Sequence, residues 1–177
     1  MIPLPIETPR LVVRVFDPAT DVDAMTRVYC DREVMRYIVA GPMETRDEVA
    51  HALAKYKHAQ DTRGFAFYAV VVRETGAVIG DVGFGVLQQT GDVEIGWTLA
   101  RSEWGRGYAT EAAAATLAAG LAHLTVPRIV AAVDRANPTS LRVAQKLGMT
   151  EFGEMAFRGR PHVLLEIVRG ERNTIGR

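Results

Sequence analysis

A chain of 177 residues, 48% hydrophobic and 24% charged, has the size and composition of one globular domain with a proper core. Its 21 Lys and Arg balance 21 Asp and Glu, so no net field draws it to nucleic acid or to an anionic membrane. The single cysteine, Cys30, excludes an internal disulfide framework and fits a reducing, cytoplasmic setting.

The opening Met1-Ile-Pro-Leu-Pro-Ile-Glu7 lacks the basic and apolar regions of a signal peptide. Leu11 to Phe16 reads as a strand. Thr20, with Asp21 and Asp23 at the positive end, starts a helix whose apolar face is Val22, Met25, Val28 and Tyr29. Cys30, in the same pattern, is expected in the core. A short helical piece follows over Glu33 to Ile38, and Gly41-Pro42 breaks the chain. Thr45-Arg-Asp-Glu48 is a capping box for a helix running to about Asp61. Phe65 to Val72 is a strand, Glu74-Thr-Gly76 a hairpin turn, and Ala77 to Leu87 a long strand. Its glycines at 80, 83 and 85 mark bulges or close approach. Thr90-Gly-Asp92 turns into Val93 to Leu99, where Val93, Ile95, Trp97 and Leu99 share one face. An Ala-rich helix over 107–123 is too short to span a bilayer. Arg128 to Val133 is a buried strand. Asn137 caps a helix with Pro138 at its first position, which ends at Leu147 before Gly148. Glu151 to Phe157 and His162 to Val168 form a last hairpin, and a loose tail begins at Arg169. The order predicts a mixed α/β sheet within one domain over 1–177, the last part, 169–177, being that tail.

The chemistry concentrates between Val93 and Ala115. Strand, glycine turn and helix make an anion site, because the first backbone N–H groups of a helix have no internal partner and carry the positive end of its dipole. Gly105 and Gly107 remove side chains that would keep a phosphate away. Such a helix end is worth about 0.3–1 kcal/mol per charge, or about 2 when partly buried. Arg101 and Arg106 add charge. The P-loop pattern is absent, and Thr110 stands where a Rossmann turn needs a third glycine or alanine.

At these residues the sequence resembles the GNAT acetyltransferases, in particular the branch that acetylates ribosomal-protein N-termini. Trp104-Gly-Arg-Gly-Tyr-Ala109 follows that family's Q/R-x-x-G-x-G/A turn except at Trp104. Glu7-Thr-Pro-Arg-Leu-Val-Val-Arg14, Asn137-Pro-Thr-Ser140 and Lys146-Leu-Gly-Met149 fall in family order. The resemblance implies the GNAT fold of class α/β (α+β): a mixed, mostly antiparallel sheet of about seven strands with a V-shaped splay, flanked by about four helices. It implies acetyl-CoA as acyl donor, with its diphosphate on the amides of Gly105, Arg106, Gly107, Tyr108, Ala109 and Thr110. The pantetheine arm would run along the free edge at Trp97, Thr98 and Leu99. Trp104 packs over the cofactor or, as the commoner use of such a residue, fills the core. Many relatives dimerise, so a homodimer is the implied assembly.

Acetyl transfer from a thioester to an amine requires a neutral amine, stabilisation of the carbonyl oxygen as it becomes negative, and a proton for the leaving thiolate. Neutralising an α-amino group at pH 7 costs about 1 kcal/mol, a lysine about 4.6. Glu94, interrupting an apolar strand beside the cleft, is the candidate base; its alternative is a solvated position on the strand's second face. Asp92 reads as structural. Many family members place a tyrosine acid where this chain has Ala144. By resemblance to the ribosomal branch, Ser140 contacts the sulfur instead, its alternative being a bond to helix backbone. Asn137 contacts CoA or serves only as a cap. That branch's hairpin glutamate is replaced by Gly159, between Arg158 and Arg160, which meet an acidic acceptor or simply occupy a solvated turn. Tyr108 reads as packing and Glu111 as a helix-end charge. No metal is expected: His51 and His58 lack a third ligand. The expected reaction is direct transfer of acetyl from acetyl-CoA to a primary amine acceptor, a protein or peptide N-terminus. The alternatives are a small amine (antibiotic, polyamine or amino acid) and a non-catalytic acyl-CoA-binding module.

Overall fold

The structure, a computed structural model, describes residues 1–170. Its elements are β1 (Ile6–Glu7), β2 (Leu11–Arg14), α1 (Val22–Tyr29), α2 (Arg32–Met35), α3 (Arg46–Arg63), β3 (Phe67–Val72), β4 (Val78–Val86), β5 (Val93–Leu99), α4 (Tyr108–His123), β6 (Arg128–Asp134), α5 (Pro138–Lys146), β7 (Thr150–Phe157) and β8 (Arg160–Val168). One sheet runs β1-β2-β3-β4-β5-β6-β8-β7, antiparallel at every junction but β5–β6. Eight strands replace the expected seven or so because Ile6 and Glu7 pair with Val13 and Val12. A fifth helix arises because the piece expected over 33–38 closes as a separate turn, α2, capped by the Asp31 carboxylate.

The start of α1 differs from expectation. Its N-cap is Asp21, whose side chain bonds no helix amide; it accepts both Arg14 guanidinium nitrogens at 2.6 and 2.9 Å instead. The Thr45 hydroxyl does cap α3, accepting from Glu48 N at 3.2 Å, while the Glu48 carboxylate turns back to Glu44 N rather than to the cap residue. Cys30 is half-buried, not a core residue.

Two apolar layers hold the sheet. α4 packs Ala112, Ala113 and Leu117 against Val82, Phe84, Val93 and Ile95 on one face. α1 and α3 pack Met25, Val28, Val49 and Leu53 against Ala69 and Val71 on the other. The β4 glycines mark close approach: a Cβ at Gly83 would lie 2.2 Å from Ala66 O, and one at Gly80 2.1 Å from Thr98 O. A bulge also falls on β4, beside Gly80: the register passes from Val70↔Gly80 to Val71↔Val78 and leaves Ile79 as the extra residue. Gly120 has a similar reason within α4, since a Cβ there would meet the Phe84 ring at 2.4 Å. Helix propensity alone credits Gly→Ala with about 1 kcal/mol of stabilisation. Here Phe84 is 1% exposed and has nowhere to retreat. Gly120→Ala is therefore expected to destabilise by about 1–3 kcal/mol, read as a lowered urea midpoint.

The parallel junction decides where the site lies. β5 and β6 pair only at Val93↔Ile129 and Glu94↔Val130, then separate. Arg128 holds the closed end: it binds Asp92 at 2.9 and 2.8 Å and Glu166 at 2.8 Å, and its guanidinium lies 4.7 Å from the Phe152 ring. Asp92 is thus structural, its pKa held below the ordinary value by Arg128. The Arg169 guanidinium donates to Leu121 and Leu124 carbonyls, so the chain is still tied down where the tail was expected to loosen; 171–177 lie outside the described residues. Among the described residues no helix is long and apolar enough to cross a membrane.

Candidate active site

Beyond Glu94 the edge of β5 has no strand partner. Ala100 N donates to Ile79 O at 2.8 Å, so the antiparallel alternation turns the Thr98 amide toward β4 and those of Trp97 and Leu99 away from it, into the opening. β5 runs in regular register with β4, so this alternation holds along the strand. A cleft of about 470 Å³ opens there. Its walls are Trp97, Thr98 and Leu99 of β5, Trp104 to Thr110 apart from Arg106, the Asn137 to Ser140 start of α5, and Glu33, Arg36 and Tyr37 from α2 and the turn after it. Every sequence-predicted donor-site residue except Arg106 lines it.

The glycine turn is built for backbone exposure. Gly105 and Gly107 hold φ of +76° and +80°, a conformation L side chains rarely adopt. A Cβ at Gly105 would meet nothing within 4 Å, and one at Gly107 only Arg10 Nη2 at 3.5 Å. The Glu7-to-Arg14 stretch explains how the turn is held. Thr8 Oγ1 donates to Glu111 Oε1 at 2.6 Å, and Arg10 Nε donates to Glu111 Oε2 at 2.6 Å. Arg10 Nη1 donates to Arg106 O at 2.9 Å, and its guanidinium lies 4.6 Å from the Tyr108 ring centre. Glu111 is therefore a clasp between the start of the chain and α4. Its partners Thr8 and Arg10 keep its pKa below the ordinary value against the opposing effect of burial. The Arg106 side chain turns to Glu103 at 3.3 Å, so its charge is paired within the turn. Trp104 is not core. It is 46% exposed on the cleft wall, and its indole N–H donates to Leu99 O at 2.9 Å, tying the turn to the end of β5.

Glu94 sits at the apex of the V. It does not line the cleft, nor is it solvated as the alternative reading had it. Its Oε1 accepts from Ala132 N at 3.3 Å, bridging the strands just where their ladder ends. Burial raises its pKa, and the Ala132 amide only partly opposes this. At the start of α5 the Asn137 side chain is spent on the helix: Oδ1 accepts from Ser140 N and Nδ2 donates to Ser140 Oγ, both at 3.1 Å. Because Ser140 Oγ already accepts that bond, its own proton is free to donate into the cleft. Ala144 is fully buried, so no acid comes from that turn of α5. Gly159 is in the β7–β8 turn with φ +76°, and Arg160 beside it binds Asp134 at 2.6 Å and Arg36 O at 2.6 Å. Among the described residues no cluster of His, Cys, Asp or Glu could hold a metal ion.

Sequence reasoning missed Glu33, Arg36, Tyr37, Thr139, Arg142 and Lys146 as cleft-lining residues. The α2 segment has too short an apolar pattern to reveal which face it presents. The α5 pair was legible as an i, i+4 spacing, once one face of that helix is known to be the cleft wall.

A splayed parallel pair, a bare glycine turn at a helix start and a cleft joining them define a transferase that draws its acyl group from a coenzyme A thioester. The description "Acetyltransferase (GNAT) domain" matches residues 10–150. The chain is similar to the uncharacterised N-acetyltransferase p20 of Bacillus licheniformis, 30% identical over 82% of each chain. It is similar to the crystal structure of a GNAT-family acetyltransferase from Bacillus anthracis, with TM-score 0.82, 26% identity, and coverage of 95% of this chain and 100% of that one. The ribosomal-protein alpha-N acetyltransferase RimL, solved with coenzyme A, shares the fold at TM-score 0.80 and 18% identity, over 93% of this chain and 98% of that one. So does a spermidine N-acetyltransferase from Vibrio cholerae, solved with CoA and spermine, at TM-score 0.75 and 20% identity, over 92% and 97%. The chain belongs to the GNAT acetyltransferase family and is an acetyl-CoA-dependent N-acetyltransferase.

Proposed function

We propose that the acceptor is the α-amine of a protein or peptide N-terminus, which attacks the thioester directly. The observation that carries this reading is the lack, among the described residues, of an unpaired carboxylate on the cleft wall. Of the two carboxylates that line it, Glu33 is paired with Arg36 at 2.9 Å and Glu103 with Arg106 at 3.3 Å. A polyamine, with several ammonium groups to balance, would find little there. An α-amine needs only one proton removed and loses it near neutral pH.

The residues divide the work. The Gly105-to-Thr110 amides hold the donor's diphosphate, and the Trp97 and Leu99 edge aligns the pantetheine arm. Glu94, its pKa raised by burial, receives the ammonium proton through water. The Ser140 hydroxyl, oriented by Asn137 Nδ2, donates to the departing sulfur. The chain acts in the cytoplasm, and the homodimer common among relatives is the proposed assembly.

The test is a panel with coenzyme A release as readout: peptides with a free α-amine, the same peptides N-terminally blocked but carrying lysine, spermidine, single amino acids and aminoglycosides. Release is expected with the free α-amine and not with the blocked lysine peptides. Turnover confined to spermidine or another small amine overturns the N-terminal reading, and acetyl-CoA binding without any turnover favours a binding module. In the same assay Glu94→Gln is expected to lower kcat by about tenfold to a hundredfold and to flatten its acid limb, with acetyl-CoA affinity unchanged.

A further inference from the structure

We propose that Arg142 and Lys146 form the seat of the 3′-phosphate on the donor's ribose. This rests on acetyl-CoA being the donor and extends the site beyond the glycine turn. Five charged side chains line the cleft: Glu33, Arg36, Glu103, Arg142 and Lys146. Glu33 and Arg36 neutralise each other, and Glu103 is paired with Arg106. The two on α5 are exposed, and among the described residues neither has an ion-pair or hydrogen-bond partner. Four positions apart, they stand one above the other on the helix surface that lines the cleft. Two like charges so placed repel each other in the free protein. An anion between them reverses that sign.

Position along α5 says which anion. Asn137, Thr139 and Ser140 make the first turn of this wall uncharged, and the proposed role of Ser140 puts that turn at the departing sulfur. Lys146 is six residues beyond Ser140, about 9 Å along the axis at 1.5 Å per residue, clear of the sulfur that Ser140 serves. The diphosphate is already provided for by backbone amides, which suit its singly charged groups. A phosphomonoester is close to dianionic at neutral pH and calls for full side-chain charges. Arginine supplies a bidentate fork and lysine a point charge, both common partners of phosphate. The chain as a whole has no net charge to attract so anionic a nucleotide, so the attraction has to be local.

The experiment compares coenzyme A with 3′-dephospho-coenzyme A by calorimetry at low ionic strength. The unaltered protein is expected to bind coenzyme A about tenfold more tightly, a preference that shrinks as salt screens the exposed charges. Arg142→Gln combined with Lys146→Gln is expected to abolish the preference while leaving 3′-dephospho-coenzyme A affinity as it was, and Arg142→Glu combined with Lys146→Glu to invert it. Both side chains are exposed, and an unchanged thermal transition verifies that the variants fold. Equal weakening of both nucleotides would assign the cations to the diphosphate and overturn the proposal, as would a preference that survives the double substitution. If the unaltered protein binds neither nucleotide, the donor assignment itself fails, and that outcome is distinguishable because it precedes any variant.

Discussion

With valine at both Gly105 and Gly107, the Kd for acetyl-CoA is expected to rise by more than about a hundredfold while the protein still folds. Two contributions add. Each position holds φ near +80°, which costs an L residue about 1–2 kcal/mol and, for a β-branched one, more; the turn then relaxes and its amides cease to converge. The side chains also occupy the space a diphosphate must enter. The surroundings separate these effects from a folding defect. At Gly83, Gly80 and Gly120 an added Cβ strikes the protein's own atoms, whereas at Gly105 and Gly107 it strikes none closer than 3.5 Å. The protein itself leaves that room. Gly91 is the control: its φ is +76°, nothing lies within 4 Å, and it belongs to the β4–β5 turn, outside the cleft lining. Gly91→Val should lose a similar stability per substitution with no change in binding. Calorimetric titration of both variants decides it: a turn variant that binds acetyl-CoA as tightly as the parent would move the diphosphate away from this turn.

The contrast between the glycines also shows how much a one-dimensional reading can carry. Gly105 and Gly107 could be recognised because their function is local, a turn followed at once by a helix. The order of strands and the caps at Thr45 and Asn137 were legible for the same reason, since period and cap chemistry act over a few residues. Gly120 could not be read, because its cause is the Phe84 ring on another element. Trp104 looked like core on residue type, yet its indole N–H found a carbonyl at the end of β5 and stayed at the surface. Glu94 was seen to interrupt an apolar strand, but its position at the apex depends on β6 parting from β5, which no spacing within Val93 to Leu99 encodes. The Glu7-to-Arg14 stretch matched a family pattern without a visible reason, and the reason is far along the chain: the Glu111 carboxylate receives Thr8 from 103 positions away and Arg10 from 101. What stayed hidden was in each case a contact between distant segments.

Asp81 is the most consequential of these, and it makes the fold's stability depend on pH. It lies in β4, 2% exposed, directly across from Thr98 of the cleft wall. The Tyr29 hydroxyl donates to its Oδ2, while Oδ1 has no partner. Burial pushes its pKa to about 7, and the Tyr29 hydroxyl and the neighbouring Thr98 only partly oppose the rise. In the unfolded chain the carboxyl titrates near 3.8. Between those values the folded state keeps a proton that the unfolded state has released, so stability falls as pH rises through this window and the full cost is present above it. At 1.36 kcal/mol per unit that cost is on the order of 4 kcal/mol. Asp81→Asn cannot ionise. Its amide leaves an N–H group without an acceptor, a deficit of about 1–3 kcal/mol that is the same at every pH. Variant and parent should therefore diverge with pH, the variant gaining several kcal/mol on the parent between pH 4 and pH 8. Tyr29→Phe should act in the opposite sense at the alkaline end, because it removes the donor that stabilises the carboxylate. Tyr56, the other hydroxyl of this cluster, is raised to about 12 and stays neutral throughout. Urea unfolding at pH 4, 5, 6, 7 and 8 measures the divergence, and parallel curves for the parent and Asp81→Asn would show that this carboxyl is not the source.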